Sequence, residues 1–399
     1  MPKISERAIV MPESPIRKLA PLATAAKDRG THVYHLNIGQ PDLPTPEAGL
    51  NALRHIDRKV LEYSPSQGFR SYREKLTHYY EKYDIHLSAD DIIITAGGSE
   101  AVLFAFLSCL NPGDEIIVPE PAYANYMAFA ISAGAHIRTI ATTIEEGFSL
   151  PKVEKFEELI NERTRAILIC NPNNPTGYLY TRREMNQIRD LVKKYDLYLF
   201  SDEVYREFIY TGSPYISACH LEGIEENVVL IDSVSKRYSE CGIRIGALIT
   251  KNVEVRKAVM KFCQARLSPP LIGQLVAEAS MDEPGEYARE MYDEYVERRK
   301  CLIDGLNRIS GVYSPIPMGA FYTVAKLPVD DAEKFCAWCL TDFEYEGATV
   351  MMAPAAGFYT TPGAGRNQVR IAYVLNKEDL QHALIVLEKA LEAYPGREI

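Results

Sequence analysis

Asp232-Ser233-Val234-Ser235-Lys236-Arg237-Tyr238-Ser239-Glu240-Cys241-Gly242-Ile243-Arg244-Ile245-Gly246 lies between two short apolar runs, Val228-Val229-Leu230-Ile231 and Ala247-Leu248-Ile249. Apolar runs of that length bounded by polar, glycine-containing sequence predict buried strands, which makes the stretch a loop at a strand end. The hydroxyls of Ser233 and Ser235, the Lys236 amine and the Arg244 guanidinium crowd this strand end. Ser233, Ser235 and Arg244 suit an anion, Arg244 through its bidentate fork, and a neighbouring cation helps keep the Lys236 amine unprotonated and nucleophilic. Read alone, the same residues also make an ordinary polar loop with a solvated lysine.

Three further segments have the same build. Asn171-Pro172-Asn173-Asn174-Pro175-Thr176-Gly177 follows an apolar run over 166–170, and Ser201-Asp202-Glu203-Val204-Tyr205 follows another over 197–200. Thr95-Ala96-Gly97-Gly98-Ser99-Glu100 follows Ile92-Ile93-Ile94 and opens an apolar helix over 101–110. Strand-like runs at 92–95, 115–119, 136–140, 166–170, 197–201, 228–232 and 247–250 alternate with amphipathic segments such as 182–195. That pattern predicts a mainly parallel seven-stranded sheet covered on both faces. The polar segments fall at the C-terminal strand ends, where open α/β sheets bind ligands. From 284 to about 309 the sequence reads as a long linking helix, and 311–399 alternates strand candidates (320–324, 369–374) with helices (332–343, 377–393), as a smaller α+β domain would. The expected division is a large domain over 46–283 and a linking helix with small domain over 284–399.

Bulk properties fit a large enzyme. With 399 residues, 47% hydrophobic and 25% charged, the chain buries a sizeable core and splits into two domains. A net charge of -10 argues against nucleic acid or an anionic membrane as partner. Residues 1–18 lack an apolar signal core, and the longest apolar stretch, near 102–110, is too short to span a bilayer, so the expected location is the cytoplasm. The eight cysteines mostly sit in apolar runs and read as small buried hydrophobes. Cys336-Ala337-Trp338-Cys339 is formally a CxxC without a second ligand pair. No GxxxxGK[ST] loop occurs.

Taken jointly, these segments resemble the fold-type-I pyridoxal-phosphate (PLP) enzymes, and within them the class I aminotransferases that include aspartate aminotransferases. The likeness runs from about Ser14 to the C-terminal helix. It implies that Lys236 bonds to PLP and shuttles the substrate Cα proton. It also implies phosphate contacts from Ser233, Ser235, Arg244 and the Gly98-Ser99-Glu100 turn, whose helix presents free N–H groups. Asp202 would hold the pyridine nitrogen cationic, Asn174 and Tyr205 would reach the ring oxygen, and Tyr123 would stack on the ring, where tryptophan is commoner. Arg370, in Gln368-Val369-Arg370-Ile371-Ala372-Tyr373, would grip the substrate α-carboxylate, assisted by Gly39 and Asn174. Tyr63 would reach the cofactor of a neighbouring subunit, which implies a homodimer. The arm over 1–45 would pack on the small domain. Without the resemblance, Asp202 reads equally as a helix cap, Arg370 as a surface ladder residue and Tyr63 as a turn residue.

Side-chain specificity is where the chain departs from its family. Many bacterial aspartate aminotransferases carry a lysine for the distal carboxylate directly after the Gly-Gly pair; Ser99 stands there. Arg17 and Arg266 are the cationic candidates to replace it, with Arg266 favoured because its place before the Pro269-Pro270 corner resembles a region that contributes to the neighbouring site in the family. The resemblance implies ping-pong transfer from aspartate to 2-oxoglutarate as the first reading. Alanine, methionine, aromatic or branched-chain amino acids are the alternatives, and a PLP-dependent lyase would share nearly every cofactor residue.

Overall fold

The computed structural model describes every residue except Met1, Ser213, Pro284 and Ile399. Its strands in chain order are β1 (His32–His35), β2 (Ile92–Thr95), β3 (Glu115–Glu120), β4 (His136–Ala141), β5 (Thr164–Cys170), β6 (Tyr198–Asp202), β7 (Val228–Ser233), β8 (Gly246–Ile249), β9 (Tyr322–Lys326), β10 (Ala348–Met351), β11 (Ala353–Pro354) and β12 (Gln368–Ala372). β2 to β8 build one seven-stranded sheet in the order β2-β8-β7-β6-β5-β3-β4. β8 runs antiparallel to both neighbours and the remaining pairs are parallel.

Because strand side chains alternate between faces, each run feeds two apolar layers. Ile92, Ile94, Ile117, Ile167, Ile169 and Leu199 pack on one side, with residues of the helices Arg70–Glu81 and Arg182–Tyr195. Ile93, Ile116, Val118, Leu168 and Phe200 pack on the other, with Gly98–Cys109 and Val253–Arg266. The helix Arg182–Tyr195 shows why the periodicity is legible. Thr181 and Glu184 form a capping box, Met185, Ile188, Leu191 and Val192 share the buried face, and Asp196 ends the helix in the left-handed region.

A third apolar cluster joins the N-terminal residues Leu19 to Leu36 with residues beyond Met291. There β1 pairs in parallel with β10, the helix Ala20–Asp28 packs against Ala332–Thr341, and β11, β12 and β9 form an antiparallel sheet. The linking helix spans Gly285–Leu306; its expected first residue, Pro284, lies outside the described residues. β9 starts two residues later than the apolar run suggests because Ala320 takes a φ of 55°, which breaks the extended backbone. Cys336 and Cys339 are fully buried, and burial pushes both thiols up. Among the described residues no cluster is built to hold a metal ion, and no helix is long and apolar enough to cross a membrane.

Candidate active site

The C-terminal ends of β5, β6 and β7 deliver Asn174, Asp202, Tyr205 and the loop from Ser233 to Lys236 to one cavity of about 740 Å³. Gly39, Tyr322 and Arg370 line the same cavity. The root of the lysine loop is fixed from below: Asp232 is buried and pairs with Arg206 and Arg237. Ser233 caps the short helix Val234–Arg237, its hydroxyl accepting from Ser235 N at 3.1 Å. Lys236 Nζ then reaches across and donates to Gly39 O at 2.7 Å. Only glycine fits at 39, since a Cβ there would lie 1.6 Å from the Tyr322 hydroxyl.

Ser99, Ser233, Ser235 and Arg244 meet at the first turn of Gly98–Cys109, whose leading N–H groups have no intrahelical acceptor. Arg244 is held by donating to Cys241 O (2.9 Å) and Ala96 O (3.3 Å). Gly97, at φ 82°, admits this approach; a Cβ would fall 2.2 Å from Arg244 Nη2. The cradle suits a phosphate. The structure turns the Glu100 carboxylate away from it: that group accepts from Ala96 N at 2.8 Å and pairs with Arg266. Arg266 accordingly lies outside the cavity, donating also to Ser66 O (3.1 Å) and lying over the Phe104 ring.

Asp202 is 7% exposed and has no cationic partner among the described residues. Burial pushes its carboxyl up to about 6, against a hydrogen bond of 2.6 Å from the Tyr126 hydroxyl that favours the ionised form. Tyr126 is a site residue the sequence reading passed over, although it stands three positions after Tyr123 in the same segment. Tyr123 lines the cavity and meets Tyr126 edge to face at 5.3 Å. Asn174 Nδ2 donates to the Tyr205 hydroxyl at 3.2 Å, and that hydroxyl lies 3.1 Å from the hydroxyl of Tyr322, a second residue passed over.

Arg370 is the converse of Asp202. It is 1% exposed, and its guanidinium lies over the rings of Tyr322 (4.6 Å) and Phe358 (5.1 Å). It donates to Asn174 Oδ1 (3.2 Å) and to Asn37 O, while its Nε has no partner. Burial lowers its pKa, and no carboxylate among the described residues pairs with it. A buried cation without an anion is costly, so this guanidinium is arranged for one that arrives with a ligand. Arg17 stands exposed at the cavity wall, and Tyr63, 76% exposed, lies outside the cavity in the single chain.

Both unpaired charges therefore line the cavity that holds the Lys236 amine, an arrangement that could take a ligand carrying a cationic group and a carboxylate. Residues 31–387 match the model of the aminotransferase class I and II family, and the chain belongs to that family and is a transaminase. It is 33% identical to an aspartate aminotransferase of Pyrococcus horikoshii, over 98% of this chain and 97% of that one. It is 30% identical to an aromatic-amino-acid aminotransferase of Thermococcus litoralis, over 98% of each chain. The crystal structure of a Thermotoga maritima aspartate aminotransferase superposes with a TM-score of 0.89 at 30% identity, covering 98% of this chain and 100% of that one.

Proposed function

We propose that the protein is a PLP-dependent aminotransferase that passes the amino group of aspartate to 2-oxoglutarate in ping-pong order. We place it in the cytoplasm as a homodimer of two-domain subunits, with domains over 46–283 and 284–399 and an arm over 1–45. The carrying observation is Arg370, a buried guanidinium without an anion in the cavity of the Lys236 amine. The residues fit PLP on their own chemistry. Asp202, a buried carboxylate short of a cation, would hold the protonated ring nitrogen; Ser99, Ser233, Ser235 and Arg244 would hold the phosphate; Tyr123 would stack on the ring. The Asn174–Tyr205 pair would donate to the ring oxygen. When bound, the cofactor supplies the electron sink for the pair released at the substrate Cα. Lys236 Nζ is the base that moves the Cα proton, and Arg370 with the Gly39 N–H orients the substrate by its α-carboxylate.

A scan of amino acids, read from the absorbance of the bound cofactor, tests this reading. Aspartate and glutamate should convert the cofactor fastest, and borohydride should fix it on Lys236. Faster conversion by neutral amino acids would overturn the aspartate assignment; fixation on another lysine would overturn the site.

Tyr63 lies beside Val60 and Leu61, both more than half exposed, an apolar strip that supports a partner surface at this turn. Tyr63→Phe should weaken cofactor retention on dialysis. In a hybrid with a Lys236→Ala subunit, the one intact lysine sits in the Tyr63→Phe subunit and receives an unmodified tyrosine from its partner, so that site should regain retention. Equal loss in hybrid and parent, or full retention in a monomer, would rule out the shared site.

A further inference from the structure

Glu120 ends β3, directly before the Pro121-Ala122-Tyr123 turn, and is 1% exposed. It has no cationic partner among the described residues, and its two oxygens are taken up by one loop. Oε2 accepts from Thr360 N (2.8 Å), Thr360 Oγ1 (3.2 Å) and Thr361 N (3.4 Å), and Oε1 accepts from the Thr361 hydroxyl. Ala122 N donates to Phe358 O at 2.9 Å, and the Thr139 and Thr360 hydroxyls meet at 2.6 Å. A buried carboxylate is costly unless its lone pairs are satisfied. Here every side-chain donor comes from a segment some 240 positions away, so the carboxylate and the loop hold each other in place.

What that clasp controls follows from its neighbours. The 358–361 segment carries Phe358, whose ring packs on the Arg370 guanidinium at 5.1 Å, as the Tyr322 ring does at 4.6 Å. A guanidinium grips a carboxylate well only if its plane is fixed, and the two rings fix it. We propose that Glu120 is a positioning residue for the α-carboxylate grip: it anchors the 358–361 segment to the C-terminal end of β3 and thereby holds the Phe358 wall against Arg370. The proposal rests on Arg370 binding the substrate α-carboxylate and does not depend on which side chain the substrate carries.

Glu120→Gln keeps the shape, but its amide oxygen must serve Thr360 N and Thr361 N without the charge that strengthens those bonds, and its N–H meets the Thr361 hydroxyl that donated to the carboxylate. In the PLP-loaded protein it should raise KM about tenfold, equally for aspartate, alanine and methionine, with kcat within about twofold. Calorimetric affinity for propionate and succinate should fall by the same factor, with cofactor content unchanged. Thr361→Val should share the rise and Thr361→Ser should not, which keeps the test open if Glu120→Gln fails to fold. Normal KM and normal anion affinity in Glu120→Gln or Thr361→Val would overturn the proposal. So would lost kcat or cofactor at unchanged anion affinity, the mark of a merely structural role. Arg370→Lys is the control: if it too binds propionate normally, the carboxylate role of Arg370 falls and the clasp loses its purpose.

Discussion

Asp202→Asn should keep PLP bound and lose about a hundred- to a thousandfold of kcat for every amino acid it accepts, the size of effect seen when a preorganised electrostatic contact is removed from an active site. The amide keeps the shape and one hydrogen bond but cannot balance a positive ring nitrogen. Asp202 is suited to that task because nothing else neutralises it: its partners are the Tyr126 hydroxyl and the Val204 N–H. The same isolation has a cost in the cofactor-free protein. Its folded carboxyl stands at about 6 against an ordinary 3.8, so the folded state binds the proton more tightly than the unfolded chain. The associated stability is present below about pH 4 and is lost as pH rises through about 6, a contribution on the order of 3 kcal/mol. Cofactor-free wild type should thus lose more Tm than Asp202→Asn between about pH 4 and 6. A bound cationic ring should abolish that difference, since an opposite charge favours the carboxylate. Near-normal turnover by a folded, PLP-loaded Asp202→Asn protein would remove Asp202 from this role.

The sheet and the lysine loop were legible because their causes are local. Apolar runs closed by Gly, Pro, Asn or Ser report strands and the turns after them, and a run such as Arg182–Tyr195 carries its caps and buried face in its own spacing. Contacts between distant segments were not legible. Tyr126 and Tyr322 earn their places through partners on β6 and in the chain around Gly39, and nothing in their immediate sequence announces either. β1 was invisible for the same reason: His32–His35 is short, polar in part and becomes a strand only by pairing with β10. Glu100 and Arg266 illustrate the other side of this limit. The Gly-Gly-Ser-Glu turn marks free helix N–H groups, but not where the carboxylate points. Here it turns back to cap Ala96 and meets an arginine 166 positions away.

That pairing separates the two arginines considered for a distal substrate carboxylate. Arg17→Ala should cut kcat/KM for aspartate and glutamate about ten- to a hundredfold while sparing alanine and methionine, the loss expected for a charge-assisted hydrogen bond in a partly solvated site. Arg17 is exposed at the cavity wall and forms no ion pair among the described residues, so its charge is free for a ligand. Ser99, the cavity-lining residue after the Gly-Gly pair, brings no cation of its own to the site. Because the contact is solvated, rising salt should erode the preference for dicarboxylic substrates in wild type and have little effect on it in Arg17→Ala. Arg266→Ala should behave differently: it strands Glu100 at the helix start, so Tm should fall and all substrates should suffer alike. If Arg17→Ala keeps the dicarboxylic preference, or wild type prefers neutral amino acids, the aspartate assignment fails. Transamination would stand regardless, because it rests on the aminotransferase family that residues 31–387 match and not on the substrate side chain.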